Sequence, residues 1–428
     1  LLDATAPIPP VIESADPDEP KGTSFVFAPE HNEGSRILML KGWWAGQMIH
    51  QPLNIVQKMV LFWHNHFVVE FNKINDSRYA YQYVNLLQKN ALGNVKKLTK
   101  EITKNACMLV YLNGNQNRKE APNENYGREL QELFTIGKGV NSHYSEADVK
   151  AAARVLSGWK DDKKNIASYF DSVLHDTNDK VFSVFYNNHV IKGRAGNDGA
   201  KELDELIEMM FKNKETAKFL CRKLYRWFVH FDITEQIEKE VITPLSELMI
   251  ASDYEIKSVL KALFTCNFFY NEYLIGGMFK SPADYLIRLL REFEVHFSKG
   301  NSQDDYAQLW AISVTLGLMG QDLGDPPSVA GWTAYYEFPF YYKVWIDSEH
   351  LTYRAKLARL LSYPEESDRL LMIDFVNFVS KFPSVENSKK LLADILDLLC
   401  IIQPGASKTV YLESLLDGDG KWNELWKQ

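Results

Sequence analysis

Two histidines separated by one residue are the first side chains in the sequence that could carry chemistry. They lie in the segment Phe62-Trp63-His64-Asn65-His66-Phe67. On an α-helix, which turns about 100° per residue, His64 and His66 point about 200° apart, so a regular helix cannot bring both imidazoles to one ion. A shared site would require a strand or a helix end. The alternative is that one histidine is hydrogen-bonded within a polar core and the other faces solvent.

A charged ladder is the second candidate. Glu124, Arg128 and Glu132 recur at every fourth position, with Glu129 beside them. On a helix the first three side chains fall within about 80° of arc. Two interpretations remain open. The ladder is either an exposed set of ion pairs that contributes a few tenths of a kcal/mol per pair, or a site in which Arg128 orients carboxylates and one of them acts as a base or metal ligand.

The dipeptide His175-Asp176 is the third candidate, in a segment whose pattern is not helical. Aromatic and β-branched residues on both sides predict a short β-hairpin within residues 166–192, with this dipeptide in its turn. A His/Asp pair on a rigid turn can bind a divalent metal or transfer a proton. The alternative is an ordinary surface turn.

The elements that must position these residues are mostly helices. From about Ser35, apolar residues return every three or four positions through most of the chain, which predicts a mostly α, multi-helical globular protein with the hairpin as a small insertion. Residues 1–33 are rich in proline and acidic residues and predict an extended lead-in. We expect residues 34–345 to form the helical core and residues 346–428 to form helices packed on it.

Composition excludes several classes of protein. The net charge is −8 and the sequence pI about 5.8, which argues against a nucleic-acid-binding protein. No apolar run reaches the roughly 18–20 residues needed to span a bilayer. The start of the chain shows no basic region followed by an apolar run, so we expect no signal peptide in it. The four cysteines form no CxxC pair, and no P-loop or G-x-G-x-x-G motif occurs.

Taken together and in order, the motifs resemble those of the bacterial domain-of-unknown-function family 1800. The resemblance rests on the following motifs: Phe62-Trp63-His64-Asn65-His66-Phe67, Asn123-Glu124-Asn125 with Arg128-Glu129-Leu130, Tyr144-Ser145-Glu146-Ala147-Asp148-Val149, Leu156-Ser157-Gly158-Trp159, His175-Asp176 with Lys180, Lys280-Ser281-Pro282, and Pro326-Pro327-Ser328-Val329-Ala330-Gly331-Trp332. It implies a mostly helical fold and an exported or cell-envelope protein, from a family often encoded beside a sulfatase-like partner family. It implies no reaction. Family members usually carry an export signal and a further helical stretch before the point where this sequence begins.

Two functions follow as hypotheses. In the first, the three segments meet in a polar cleft that hydrolyses an envelope or extracellular polymer. Glu124 or Glu129 and a histidine (His64 or His66) would be the acid–base pair, and Arg128 and Glu132 would complete the charged ladder. In one version of this hypothesis, His175, Asp176 and a glutamate hold a divalent metal.

In the second hypothesis, the protein is a non-enzymatic scaffold or binding module. Its polar motifs would form a buried network, and its aromatic segment, defined as residues 332–345, would bind a partner.

Overall fold

The structure is a computed structural model that describes residues 33–295, 302–362, 373–418 and 420–427. Within these ranges the chain is mostly helical, as expected. The predicted lead-in lies outside the described residues except for Glu33, where the first helix begins. The first six helices are α1 (Glu33–His50), α2 (Val56–His66), α3 (Phe71–Ile74), α4 (Ser77–Lys89), α5 (Val95–Lys104) and α6 (Ala106–Tyr111).

The charged ladder lies on an α-helix that continues as a π-helix. α7 (Asn125–Glu129) continues without a break into a π-helical turn, Leu130–Thr135. The next helix is α8 (Glu146–Val155), and Ser145 and Asp148 form the capping box at its start that their spacing predicts.

The insertion contains two short hairpins rather than one. β1 (Trp159–Asp162) pairs antiparallel with β2 (Ala167–Phe170), and β3 (Lys180–Val181) pairs antiparallel with β4 (Val190–Ile191). The expectation of a β insertion was therefore confirmed, but the two aromatic segments on either side of His175 do not pair with each other. Each pairs with its nearer neighbour in sequence, because a shorter loop costs less conformational entropy to close.

The remaining helices complete the core and the C-terminal part. They are α9 (Glu202–Lys212), α10 (Lys214–Phe228), α11 (Glu235–Ile237) with its π-helical continuation Glu238–Ile242, α12 (Thr243–Ala251), α13 (Ile256–Thr265), α14 (Pro282–Glu292), α15 (Ser302–Leu318), α16 (Ser348–Ser362), α17 (Phe375–Ser380), α18 (Ser388–Leu399), α19 (Ala406–Asp417) and α20 (Trp422–Lys427). None of the helices in the described ranges combines the length and apolar character needed to cross a membrane.

The core is centred on α1 and α2. α1 is buried around most of its circumference and packs along α15. The absence of a side chain at Gly42 permits this approach, because a Cβ atom there would lie 3.1 Å from the backbone nitrogen of Trp310. Trp44, Trp63 and Trp332 are fully buried in the same region. Burial of such large rings supplies much of the hydrophobic free energy of a core.

The loop that leads to Trp332 is fastened to this core by polar contacts. Lys41 Nζ lies 2.6 Å from Asp322 Oδ1 and 2.8 Å from Asp325 Oδ2, and the Lys41 side chain is almost completely buried. Asn65 Oδ1 accepts a hydrogen bond from the backbone N–H of Trp332 at 2.8 Å. Gly331, just before that donor, has φ +100°, a conformation that favours glycine.

We predict that Gly331→Ala destabilises the protein by about 2–4 kcal/mol, through backbone strain and overpacking. An added Cβ would lie 2.3 Å from Asn65 Oδ1 and 2.7 Å from the Asn65 carbonyl oxygen. Urea unfolding followed by circular dichroism measures the change. Gly139→Ala is the matched control, since a Cβ there meets nothing within 4 Å. Equal stabilities of the two variants would contradict this account of the loop.

Candidate functional site

His64 lies on α2 and is completely buried among aromatic rings. Trp44 and Trp332 contact it edge-on, with ring centroids 5.3 and 5.6 Å away. The hydroxyl of Tyr83 already donates to the Phe67 carbonyl at 2.6 Å, so the 3.1 Å contact with His64 Nδ1 assigns the imidazole proton to Nδ1. Burial, followed by the positive charge of Lys41, lowers the pKa of His64 to about 3. The ring is therefore neutral at physiological pH.

His66 is also buried but points to the other side of the helix. Its Nε2 donates to the Phe134 carbonyl at 3.1 Å, and its Nδ1 accepts from Lys223 Nζ at 3.0 Å. Burial, followed by the nearby Lys223 charge, lowers the pKa of His66 well below its usual value. The two histidines thus do not share a ligand, as the helical spacing predicts. The alternative that one of them faces solvent is wrong, because both are in the core.

The charged ladder follows α7 and the π-helical turn, with Glu124, Arg128 and Glu129 partly exposed and Glu132 buried. Arg128 contacts Glu124 at 3.4 Å and Glu132 at 3.8 Å, so the predicted spacing holds. Its main partner is Glu146 at the start of α8, which accepts two hydrogen bonds of 2.7 and 2.6 Å from the guanidinium. Spacing within one helix could not reveal this partner. Glu146 thus neutralises the charge of Arg128. Lys138 neutralises Glu132 similarly, with its Nζ 2.5 Å from the carboxylate.

Glu129 differs from its neighbours in the ladder. It is partly buried, and within the described residues its carboxylate makes no hydrogen bond or ion pair. Burial, followed by the negative charge of Glu132, raises the pKa of Glu129. A carboxyl with a raised pKa and free oxygens is a chemical candidate for a general acid.

His175 and Asp176 are both buried, in a turn that links the two hairpins. His175 Nδ1 donates to the Ser157 carbonyl at 2.9 Å. Asp176 accepts hydrogen bonds from Arg154 of 2.7 and 3.3 Å. Although burial opposes its ionisation, the hydrogen bonds from Arg154 and Asn178 bring the pKa of Asp176 to about 2.

Glu202 completes this cluster and was not among the residues singled out from the sequence. It is completely buried at the start of α9, with one oxygen 3.1 Å from His175 Nε2 and the other 2.5 Å from Lys180 Nζ. Burial alone would raise the pKa of Glu202, but hydrogen bonds from His175 and Lys180 and the Lys180 charge lower it overall. Nothing in its local sequence signals the contact, since it lies 22 residues from Lys180.

In the described part of the chain, the histidine pair, the charged ladder and the His175-Asp176 turn are not linked to one another by polar side-chain contacts. Among the described residues, no hydrogen bond or ion pair joins a side chain of the histidine pair, the ladder or the His175-Asp176 turn to a side chain of another set. Nor does that part of the chain contain a group of three or more His, Cys, Asp or Glu side chains placed to hold a metal ion. His66 contacts the helix that carries the ladder through the backbone carbonyl of Phe134, in the π-helical turn.

The fold and these contacts define a helical protein with a small β insertion, in which buried polar side chains tie distant segments together. A family model described as "Protein of unknown function (DUF1800)" matches residues 13–423, and the chain belongs to this family. No curated protein and no solved structure matches it.

We predict that His64→Gln flattens the dependence of stability on pH between about pH 6.5 and 4. An unfolded histidine gains a proton near pH 6.5, whereas folded His64 does so only near pH 3, so acidification over this interval favours unfolding. Removing the imidazole should reduce the slope of the unfolding free energy by up to about 1.4 kcal/mol per pH unit. Urea titrations at several pH values measure the slope.

The matched control is His143→Gln, which removes an exposed histidine instead of a buried one. A slope in His64→Gln equal to that of the unmodified protein would show that this histidine does not resist protonation in the folded state.

Proposed function

We propose that this protein is a non-enzymatic helical binding module of the cell envelope. In this proposal its polar motif residues hold the core together, and its aromatic segment makes contact with a partner. The observation that carries the proposal is the burial of the motif side chains against protein groups of distant segments.

Three of these contacts support a structural role. Asn65 holds the backbone of Trp332, and His66 joins the π-helical turn to Lys223 of α10. Glu202 joins the start of α9 to Lys180 of β3, whose ammonium donates a hydrogen bond to it. Each contact satisfies a polar group that would be costly to bury alone. A network of this kind fixes the relative positions of helices and needs no substrate to complete it.

The aromatic segment has buried ends and an exposed middle. Trp332 and Trp345 at its ends are almost completely buried. Between them, Phe338 is 79% exposed and Phe340 59% exposed. The ends hold the backbone of the segment in place, so the exposed rings would lose little conformational freedom on binding. Exposed apolar rings on an ordered backbone are typical of protein interaction surfaces.

The partner that we propose for this surface is a protein rather than a nucleic acid, in line with the net charge of −8. The family resemblance suggests which protein: a member of the sulfatase-like family often encoded beside members of this one. The same resemblance suggests an exported location.

A second candidate function is hydrolysis of an envelope or extracellular polymer, and one observation favours it. Glu129 is the ladder carboxylate without a described partner, and its pKa is raised by burial. It could therefore deliver a proton to a leaving group at the surface between α7 and α8. His64 and His66, as buried neutral rings with protein partners, have no direct role in this version.

We predict that Phe338→Ser combined with Phe340→Ser weakens binding to a member of the sulfatase-like family by at least tenfold, because exposed aromatic anchors contribute much of the affinity of such surfaces. Surface plasmon resonance with the two purified proteins measures the dissociation constant. Val184→Ser is the control, since Val184 is 77% exposed but outside the aromatic segment. Equal affinity of the double variant and the unmodified protein would exclude this surface.

For the second candidate, we predict that Glu129→Gln abolishes any release of soluble fragments from purified envelope polymer, whereas Glu124→Gln retains most of it. The activity of the unmodified protein should be highest at low pH and fall as pH rises through the raised pKa of Glu129, because a general acid must be protonated. Chromatography of the released fragments measures the rate. Equal rates for Glu129→Gln and the unmodified protein would remove Glu129 from the mechanism.

A further inference from the structure

A cavity of about 680 Å³ opens beside α10. Its walls are the loop at residues 137–141, one face of α10, and the start of the helix that begins at Glu235. Phe219 forms an apolar part of the wall, and Arg226 lies farther along the same face of α10. The cavity is large enough for a small ligand or for one group of a larger one.

The charges around this cavity are unbalanced. Five cationic side chains line it, compared with three acidic ones. Two of the acidic side chains, Glu215 and Glu238, are both paired with Arg222. The third, Glu235, is exposed. Of the cations, Arg222 is paired with these two carboxylates and Lys138 with Glu132, so the charge left without an ion pair is that of Lys218, Arg226 and Lys239.

Arg226 is the main unpaired cation. Its Nε donates to the Phe231 carbonyl at 3.3 Å, and its guanidinium lies 5.9 Å from the centre of the Tyr341 ring. Within the described residues no carboxylate contacts it, and its two terminal amino groups make no hydrogen bond. Burial lowers the pKa of Arg226 from its usual high value, which does not remove its charge at physiological pH. Lys218 and Lys239, which also line the cavity, have no described ion pair either.

A second basic side chain, Lys223, lies one turn before Arg226 on α10. Lys223 Nζ donates to His66 Nδ1 at 3.0 Å and lies 5.2 Å from the centre of the Phe219 ring. Burial, followed by repulsion from Arg226, lowers the pKa of Lys223 to about 7. Two like charges this close repel each other, so the protonated form of Lys223 is disfavoured, and an anion bound beside Arg226 would offset that repulsion.

We propose that this cavity is a binding site for the oxyanion group of a ligand, namely a carboxylate, sulfate or phosphate, held by the guanidinium of Arg226 with Lys218 and Lys239 at the rim. The free amino groups of Arg226 have the planar geometry that binds two oxygens of such a group. Lys223, which is held by His66 and lies over the Phe219 ring of the cavity wall, adds positive potential in its protonated form. This site is independent of the proposed partner surface, although Tyr341 of the aromatic segment contacts Arg226.

The experiment titrates the full chain with sodium sulfate, sodium phosphate or sodium succinate, at an ionic strength kept constant with sodium chloride, and follows binding by isothermal titration calorimetry. We expect saturable binding at one site per chain for at least one of the three anions. Arg226→Gln should weaken it at least tenfold, and the double variant Lys218→Gln with Lys239→Gln two- to fivefold. Lys192→Gln, which removes an exposed lysine paired with Asp179, is the control and should leave it unchanged.

The three anions distinguish the sources of the oxyanion. Saturation by succinate alone would assign the site to carboxylates, and saturation by sulfate or phosphate alone would assign it to tetrahedral anions. Absence of saturable binding by all three would overturn the proposal, as would equal affinity of Arg226→Gln and the unmodified protein. If circular dichroism shows that Arg226→Gln does not fold, the rim double variant decides the question, and an unchanged affinity in it would overturn the proposal.

Discussion

The side-chain amide of Asn65 accepts a hydrogen bond from the backbone of Trp332, a residue 267 positions later in the chain. Both groups are buried, so neither can be satisfied by water once the core has formed. The contact brings the loop before Trp332 onto α2, and with it the large ring that packs against His64. Because Gly331 has no side chain, the backbone before Trp332 can approach Asn65 closely. This hydrogen bond fixes where the Trp332 ring enters the core and where the aromatic segment that follows begins.

Much of the local structure could be predicted from the sequence, and most long-range contacts could not. The apolar period predicted the helices, Ser145 and Asp148 predicted the cap of α8, and the spacing of His64 and His66 predicted that they face apart. These are properties of a single helix. The pairing of β1 with β2 was missed, because an aromatic strand pattern does not specify its partner. Glu146, Glu202 and Lys223 were missed for a related reason: each meets its partner only after separate elements have packed.

The sequence does not show whether a buried charged residue has a catalytic or a structural role, and the cluster around His175 is an example. His175, Lys180 and Glu202 have the residue types of a catalytic site, yet each has a protein partner inside the core. Removing one member of such a cluster typically costs about 3–5 kcal/mol, because it leaves another charge buried without a partner. A substitution at these positions would therefore abolish function in an enzyme and in a scaffold alike. Glu129 and Arg226 are more informative positions, since both are charged groups with unused hydrogen-bonding capacity.

The π-helical turn at Leu130–Thr135 depends on the number of residues in this segment as much as on their types. A π-helical turn contains one residue more than the α-helical turn it replaces. Near its end the Phe134 carbonyl accepts a hydrogen bond from the imidazole of His66, and the Ile136 N–H donates to the Gln131 carbonyl. Deleting one residue here would restore regular α-helical bonding but turn everything after it by about 100°. The Phe134 carbonyl would then face away from His66, so insertions and deletions should be tolerated less well in this turn than most single substitutions.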